Sequence, residues 1–150
     1  MRALLDTSTL IAAMLPDHVH HAYALPWLAR AKAGAFEFVC SGHSLAELYA
    51  VLTRLKRTPP IRPAEAWDLI RENVTTHARV ESLSGAQYAL LVEELARTGI
   101  MGAAVYDAVI ARVAELAAAD LLVTLNVADF QRVWPAGAAR VVSPQTHSPP

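Results

Sequence analysis

Short apolar runs alternate along this chain with longer stretches whose apolar positions recur every three or four residues. Ala3-Leu4-Leu5 rises to Asp6 and stops at Thr7-Ser8. That reads as a buried strand that delivers a carboxylate to the edge of a sheet and then turns into a helix. The helix runs through Leu10-Ile11-Ala12-Ala13-Met14-Leu15 to Pro16. Asp17 is placed to cap a second helix over 18–33, with Pro26 marking a kink or a shorter helix that starts there, and Gly34 closing it. Phe36 to Cys40 reads as the second strand. A third helix follows Ser41-Gly42-His43-Ser44 and carries Leu45, Leu48, Leu52 and Leu55 at helical spacing before Pro59-Pro60 stops it. Pro63 opens a fourth helix. Residues 77–81 form a short strand, and Ser84 caps a fifth helix that ends at Gly99. Residues 103–119 are helical again, residues 121–124 form a buried strand, 126–130 a turn or short helix, and 139–142 a last strand.

Strands alternate with helices throughout, so the expected fold is α/β with a mainly parallel central sheet. The length suits one domain, placed at residues 1–142, with the Ser- and Pro-rich segment 143–150 expected to be a disordered tail. Hydrophobic residues make up 54% and charged residues 18%, which argues against disorder over most of the length. The formal net charge of -1 does not favour a protein held to nucleic acid by bulk electrostatics, although it leaves room for a local basic patch. Arg54, Lys56 and Arg57 are the clearest candidate, readable equally as favourable charges at a helix C-terminus or as a phosphate-contacting patch. Cys40 is the sole cysteine, so no internal disulfide is possible and a cytoplasmic location is expected. Every apolar helical stretch is broken by charges, and Asp6 interrupts the early apolar run, so neither a membrane span nor a signal peptide is expected.

Four acids decide the functional reading. Asp6 can be an N-cap, but Thr7 and Ser8 can cap as well and would leave Asp6 free. Glu47 stands three residues after Ser44, the spacing of a capping box, and the same spacing puts it in the first turn of a helix that follows a strand. Asp107 lies early in a strongly apolar helix, after a glycine-containing loop. Asp129 lies just past the fourth strand, near Asn126, and Thr124 can serve as strand filler or hydrogen-bond an acid at the sheet edge. In a parallel sheet these places converge on one edge. Clustered carboxylates repel one another unless a cation neutralises them, and oxygen ligands favour Mg²⁺ or Mn²⁺ over zinc. Such a site can make a nucleophile from water and stabilise a phosphoryl transition state.

In Leu4-Leu5-Asp6-Thr7-Ser8, Ser44-Leu45-Ala46-Glu47, Tyr106-Asp107-Ala108-Val109-Ile110-Ala111 and Thr124-Leu125-Asn126-Val127-Ala128-Asp129-Phe130, the chain resembles the PIN-domain ribonucleases, most closely the VapC-like toxins of toxin–antitoxin pairs. The resemblance implies a three-layer α/β/α fold and an acidic cluster that binds Mg²⁺ or Mn²⁺. Asp6, Glu47 and Asp107 match its three most dependable acidic positions. Asp129, with Asn126 nearby, matches the less regular fourth, and Thr7 or Ser8 and Thr124 match supporting hydroxyls. It also implies cleavage of RNA, a homodimer and inhibition by a cognate antitoxin.

Two rivals belong to other classes. A phosphatase of haloacid-dehalogenase type expects a second aspartate two residues after Asp6, where Ser8 stands. A catalytically silent PIN-like binding module would have no need of the retained acids. His18, His20 and His21 suggest zinc, but no third and fourth ligands stand at suitable spacing, which favours a solvated helix start. Trp27, Trp67 and Trp134 read as core or interface packing.

Overall fold

The computed structural model describes residues 1–150. Strand β1 (Arg2–Leu5) is the middle strand of a five-stranded sheet completed by β2 (Glu37–Ser41), β3 (Arg79–Glu81), β4 (Leu121–Val123) and β5 (Val141–Val142). The order is β3-β2-β1-β4-β5 and every neighbouring pair is parallel. Leu4 of β1 pairs with Val39 of β2 on one side and Leu122 of β4 on the other.

Successive side chains leave a strand on opposite faces, and this divides the core in two. Ala3, Leu5, Phe38, Cys40, Val123 and Val142 pack on one face with α1 (Thr7–Met14), α2 (His21–Lys32), α3 (Gly42–Arg54) and α4 (Pro63–Ile70). Leu4, Val39, Leu122 and Val141 pack on the other with α5 (Gly85–Thr98), α6 (Ala104–Leu116) and α7 (Val127–Val133). Trp27 anchors the first layer and Phe130 the second, both fully buried. Burial of a side chain of that size contributes about 2–3 kcal/mol. The architecture is therefore three-layer α/β/α, as expected.

Local boundaries follow the capping chemistry. Ser84 and Gln87 form a reciprocal capping box at the start of α5, and Gly99 closes that helix with φ +72°. Two expectations fail, and one of two alternatives is removed. Helix α2 starts at His21 and Asp17 does not cap it, because residues 15–20 turn through the bonds His18 N–H to Leu15 O (3.0 Å) and His21 N–H to His18 O (2.9 Å). Pro26 lies inside α2 and does not start it. Helix α3 begins at Gly42 with Ser41 as its cap, since Ser41 Oγ accepts from His43 N–H at 3.2 Å. Ser44 is thus buried within the first turn with its hydroxyl unpartnered, no Ser44–Glu47 capping box forms, and Glu47 falls in the second turn.

Residues 143–150 lie along α2. Trp27 Nε1 donates to His147 O at 3.1 Å, and Arg30 Nε to Pro150 O at 2.6 Å. The chain passes from β1 to β2 on one side and reaches β4 on the other. The strand order therefore reverses at β1, which opens a crevice at the carboxyl ends of β1 and β4.

Candidate active site

Asp6 is the residue that leaves β1 at this reversal. Its backbone N–H continues the sheet by donating to Val123 O at 3.0 Å. Its side chain is 3% exposed and accepts three hydrogen bonds at Oδ2: from Ser8 Oγ (2.7 Å), Ser8 N–H (3.2 Å) and Thr124 Oγ1 (2.9 Å). Asp6 is therefore the N-cap of α1, and the expectation that Thr7 and Ser8 take over the capping is reversed. Cap and candidate ligand are one carboxylate, because Ser8 is drawn inward to Asp6 and to Leu125 N–H (3.0 Å). Thr7 turns the other way and donates to Glu47 Oε2 at 2.7 Å, tying α1 to α3. Thr124, fully buried just past β4, also accepts from Asn126 N–H at 3.0 Å.

Asp6, Thr7, Ser8, Glu47, Asp107 and Asn126 line one open cavity of about 710 Å³. Asp129 stands apart from that wall. Its carboxylate is 57% exposed and pairs with Arg132 at 3.5 Å. It nevertheless lies close enough to Asp107 to act on its charge. Burial pushes the Asp6 carboxyl up, against the pull of the Ser8 and Thr124 hydrogen bonds. Asp107 is pushed up to about 6 by burial first, then by the negative charges of Asp6, Asp129 and Glu47; Arg132 offsets only part of this. The acids thus repel one another across one cavity whose only lysine or arginine is Arg54.

This donor chemistry fits a hard divalent cation, since it offers carboxylate oxygens and no thiolate. No three His, Cys, Asp or Glu side chains converge on one ion-binding point in this arrangement. Asp6 is fixed by its hydrogen bonds and Glu47 is held by Thr7, whereas Asp107 is partly exposed and accepts no hydrogen bond.

The model of the PIN domain family matches residues 3–133. The chain belongs to the PIN-domain family. Within it, the sequence is 37% identical over 115 residues to ribonuclease VapC27 of Mycobacterium tuberculosis, covering 77% of this chain and 75% of that one. This PIN domain is therefore of the VapC ribonuclease type. Solved structures share the fold at low identity. VapBC2 from Rickettsia felis, bound to a DNA fragment from their promoter, superposes with TM-score 0.64 at 22% identity over 95% of this chain and 98% of that one. Mycobacterium tuberculosis VapC20, a Sarcin-Ricin loop cleaving toxin, gives 0.66 at 18% over 90% and 95%. FitAB bound to an IR36 DNA fragment gives 0.64 at 16% over 98% of each.

Sequence reasoning missed one pair beside the PIN acids. His43 and Tyr106 stack with ring centres 5.0 Å apart and planes 13° apart, joining the first turns of α3 and α6. His43 Nε2 comes within 3.4 Å of Glu47 Oε1 but is too poorly aligned to count as a hydrogen bond. The available signal was spacing: His43 lies one helical turn before Glu47, and Tyr106 adjoins Asp107.

Proposed function

We propose that this PIN domain is a divalent-metal-dependent endoribonuclease toxin that cuts RNA phosphodiester bonds and is held in check by a cognate antitoxin. The observation that carries the reading is the facing of Asp6, Glu47 and Asp107 into one open cavity, with Asp107 pushed up to about 6 by burial and by its neighbours' charge. Asp6, Glu47 and Asp107 hold Mg²⁺ or Mn²⁺, and Asp129 adds negative charge from behind Asp107. A cation held there supplies Lewis acidity towards water and towards the phosphate. Thr7 orients Glu47, while Ser8 and Thr124 hold Asp6 so that one oxygen is committed to the fold and the other is left for the ion. Asn126, on the cavity wall, offers an amide to the substrate backbone.

RNA as substrate implies action in the cytoplasm, and no helix is long and apolar enough to cross a membrane. VapC-type kinship and the VapBC2 and FitAB assemblies among the structural relatives support an antitoxin partner. Exposed Tyr23, Leu25 and Trp67 on α2 and α4 supply apolar surface for a homodimer or for that antitoxin.

The test is sequencing of RNA ends after incubation with Mn²⁺, wild type against Asp6→Asn. Discrete new ends are expected from the wild type and at least ~100-fold fewer from the variant, with its fold retained by circular dichroism. Identical end profiles would favour a catalytically silent binding module.

A further inference from the structure

The three histidines near the start of the chain separate into two groups. His21 is structural, its Nδ1 lying 2.9 Å from Ala12 O and tying α2 to α1. His18 and His20 instead line the cavity that holds the acids, as does Val19 between them, which is 81% exposed. The turn is braced: His20 N–H donates to His18 Nδ1 at 3.1 Å, and the two rings lie 5.7 Å apart at 48°. Gln145 holds the far side of His20, its Nε2 lying 3.0 Å from His20 Nδ1. No acid or cysteine joins them in a metal-ligating group.

Arg54, in the last turn of α3, lines the same cavity and is its only lysine or arginine. Its neighbour Arg57 faces Asp17 at 3.9 Å, while Arg54 takes part in no ion pair. A chain of net charge -1 whose cavity floor is acidic must attract a polyanion locally. Arg54 is the one guanidinium on the cavity wall placed to do this.

We propose that the His18-Val19-His20 turn and Arg54 form a grip for single-stranded RNA, in which the two imidazoles stack on unpaired bases and Arg54 takes a backbone phosphate. This rests on the ribonuclease reading of the same cavity. His18 suits stacking because burial first, then the nearness of His20 and His21, lower its basicity against the opposing pull of Asp17, which favours the uncharged aromatic ring. Aromatic stacking of this kind serves every base, whereas an arginine contact positions the backbone. Recognition by splayed bases requires an unpaired strand, since the grooves of an RNA duplex keep base faces stacked inside.

The experiment is fluorescence anisotropy with the full chain carrying Asp6→Asn, so that the probe stays intact. The probe is a short fluorescein-labelled single-stranded RNA of mixed sequence, titrated at several salt concentrations. Adding His18→Ala or His20→Ala should weaken binding about 5- to 20-fold with little change in salt dependence. Adding His18→Phe should restore it. Adding Arg54→Ala should weaken binding and lower the salt slope by about one. Arg62→Ala, outside the cavity, should bind as the parent does. Unchanged affinity in the His18, His20 and Arg54 variants would overturn the grip, as would a duplex of the same sequence competing as well as the single strand. The two readings fail separately. If the rim variants lose RNA but the wild type with Mn²⁺ cuts nothing, the ribonuclease reading falls and the grip stands. If the wild type cuts and the rim variants bind like the parent, the grip alone falls.

Discussion

Asp6 and Asp107 face each other across one cavity and are held in opposite ways. Asp6 is almost fully buried and receives hydrogen bonds from Ser8 and Thr124, which belong to parts of the chain more than a hundred residues apart. Asp107 is half-buried and receives none; what acts on it is the charge of Asp6, Asp129 and Glu47. The first carboxylate has a fixed position, and the second has a negotiable charge. A cation site benefits from both. A rigid ligand sets where the ion sits, and an ill-at-ease acid gains most from its arrival.

The contrast can be broken first on the rigid side. Thr124→Val keeps the shape and removes one donor from a buried carboxylate. It should cost about 1–3 kcal/mol in chemical denaturation and roughly 10–100-fold in cleavage rate, with Thr124→Ser recovering most of both. Full activity in the valine variant would mean that Ser8 alone suffices to hold Asp6.

A smaller effect separates the two serines at the start of α3, the cap Ser41 and Ser44 in the first turn. Ser41→Ala removes a formed cap and should cost about 1 kcal/mol. Ser44→Ala removes a buried hydroxyl that has no partner and should be neutral or slightly stabilising. Equal losses in urea titrations would restore Ser44 as the cap.

The half-buried side gives the smallest effect and an unusual sign. The folded-state value of Asp107 lies above its ordinary one. Its favourable contribution is thus complete below the ordinary carboxylate range and is lost as pH rises through about 6. Without metal, the protein should therefore melt higher at pH 5 than at pH 7.5. Asp107→Asn should melt higher than wild type at pH 7.5, by at most about 1 kcal/mol once solvent screening is discounted. Mn²⁺ should reverse this order by stabilising only the wild type. Its binding to wild type should weaken below about pH 6, where protons compete for Asp107. Titration calorimetry in buffers of differing ionisation enthalpy reads the released proton.

The alternation of elements was legible in the chain because apolar periodicity reports burial directly, and it carried Asp6, Glu47 and Asp107 to one cavity, though not Asp129. What escaped was local: which of several hydroxyl or carboxyl residues caps a helix. Asp6, Thr7 and Ser8 all qualify by type, and so do Ser41 and Ser44. The choice was made by contacts far away in sequence, such as Thr124 reaching Asp6. The place of His18 and His20 on the cavity wall was hidden for the same reason. It depends on where the 15–20 turn lands, and periodicity says nothing about a turn.

The central place of β1 has a consequence for synthesis. Strand β1 is the middle one of the five, and its second neighbour, β4, begins only at Leu121. The nascent chain holds Asp6 and Glu47 early, but Asp6 gains the Thr124 hydroxyl, and Ser8 the Leu125 amide, only after the last strands have left the ribosome and docked. Until Thr124 and Leu125 have been made and docked, a nascent chain therefore carries the acids of an unfinished site. If its product attacks RNA, that delay spares the machinery making it.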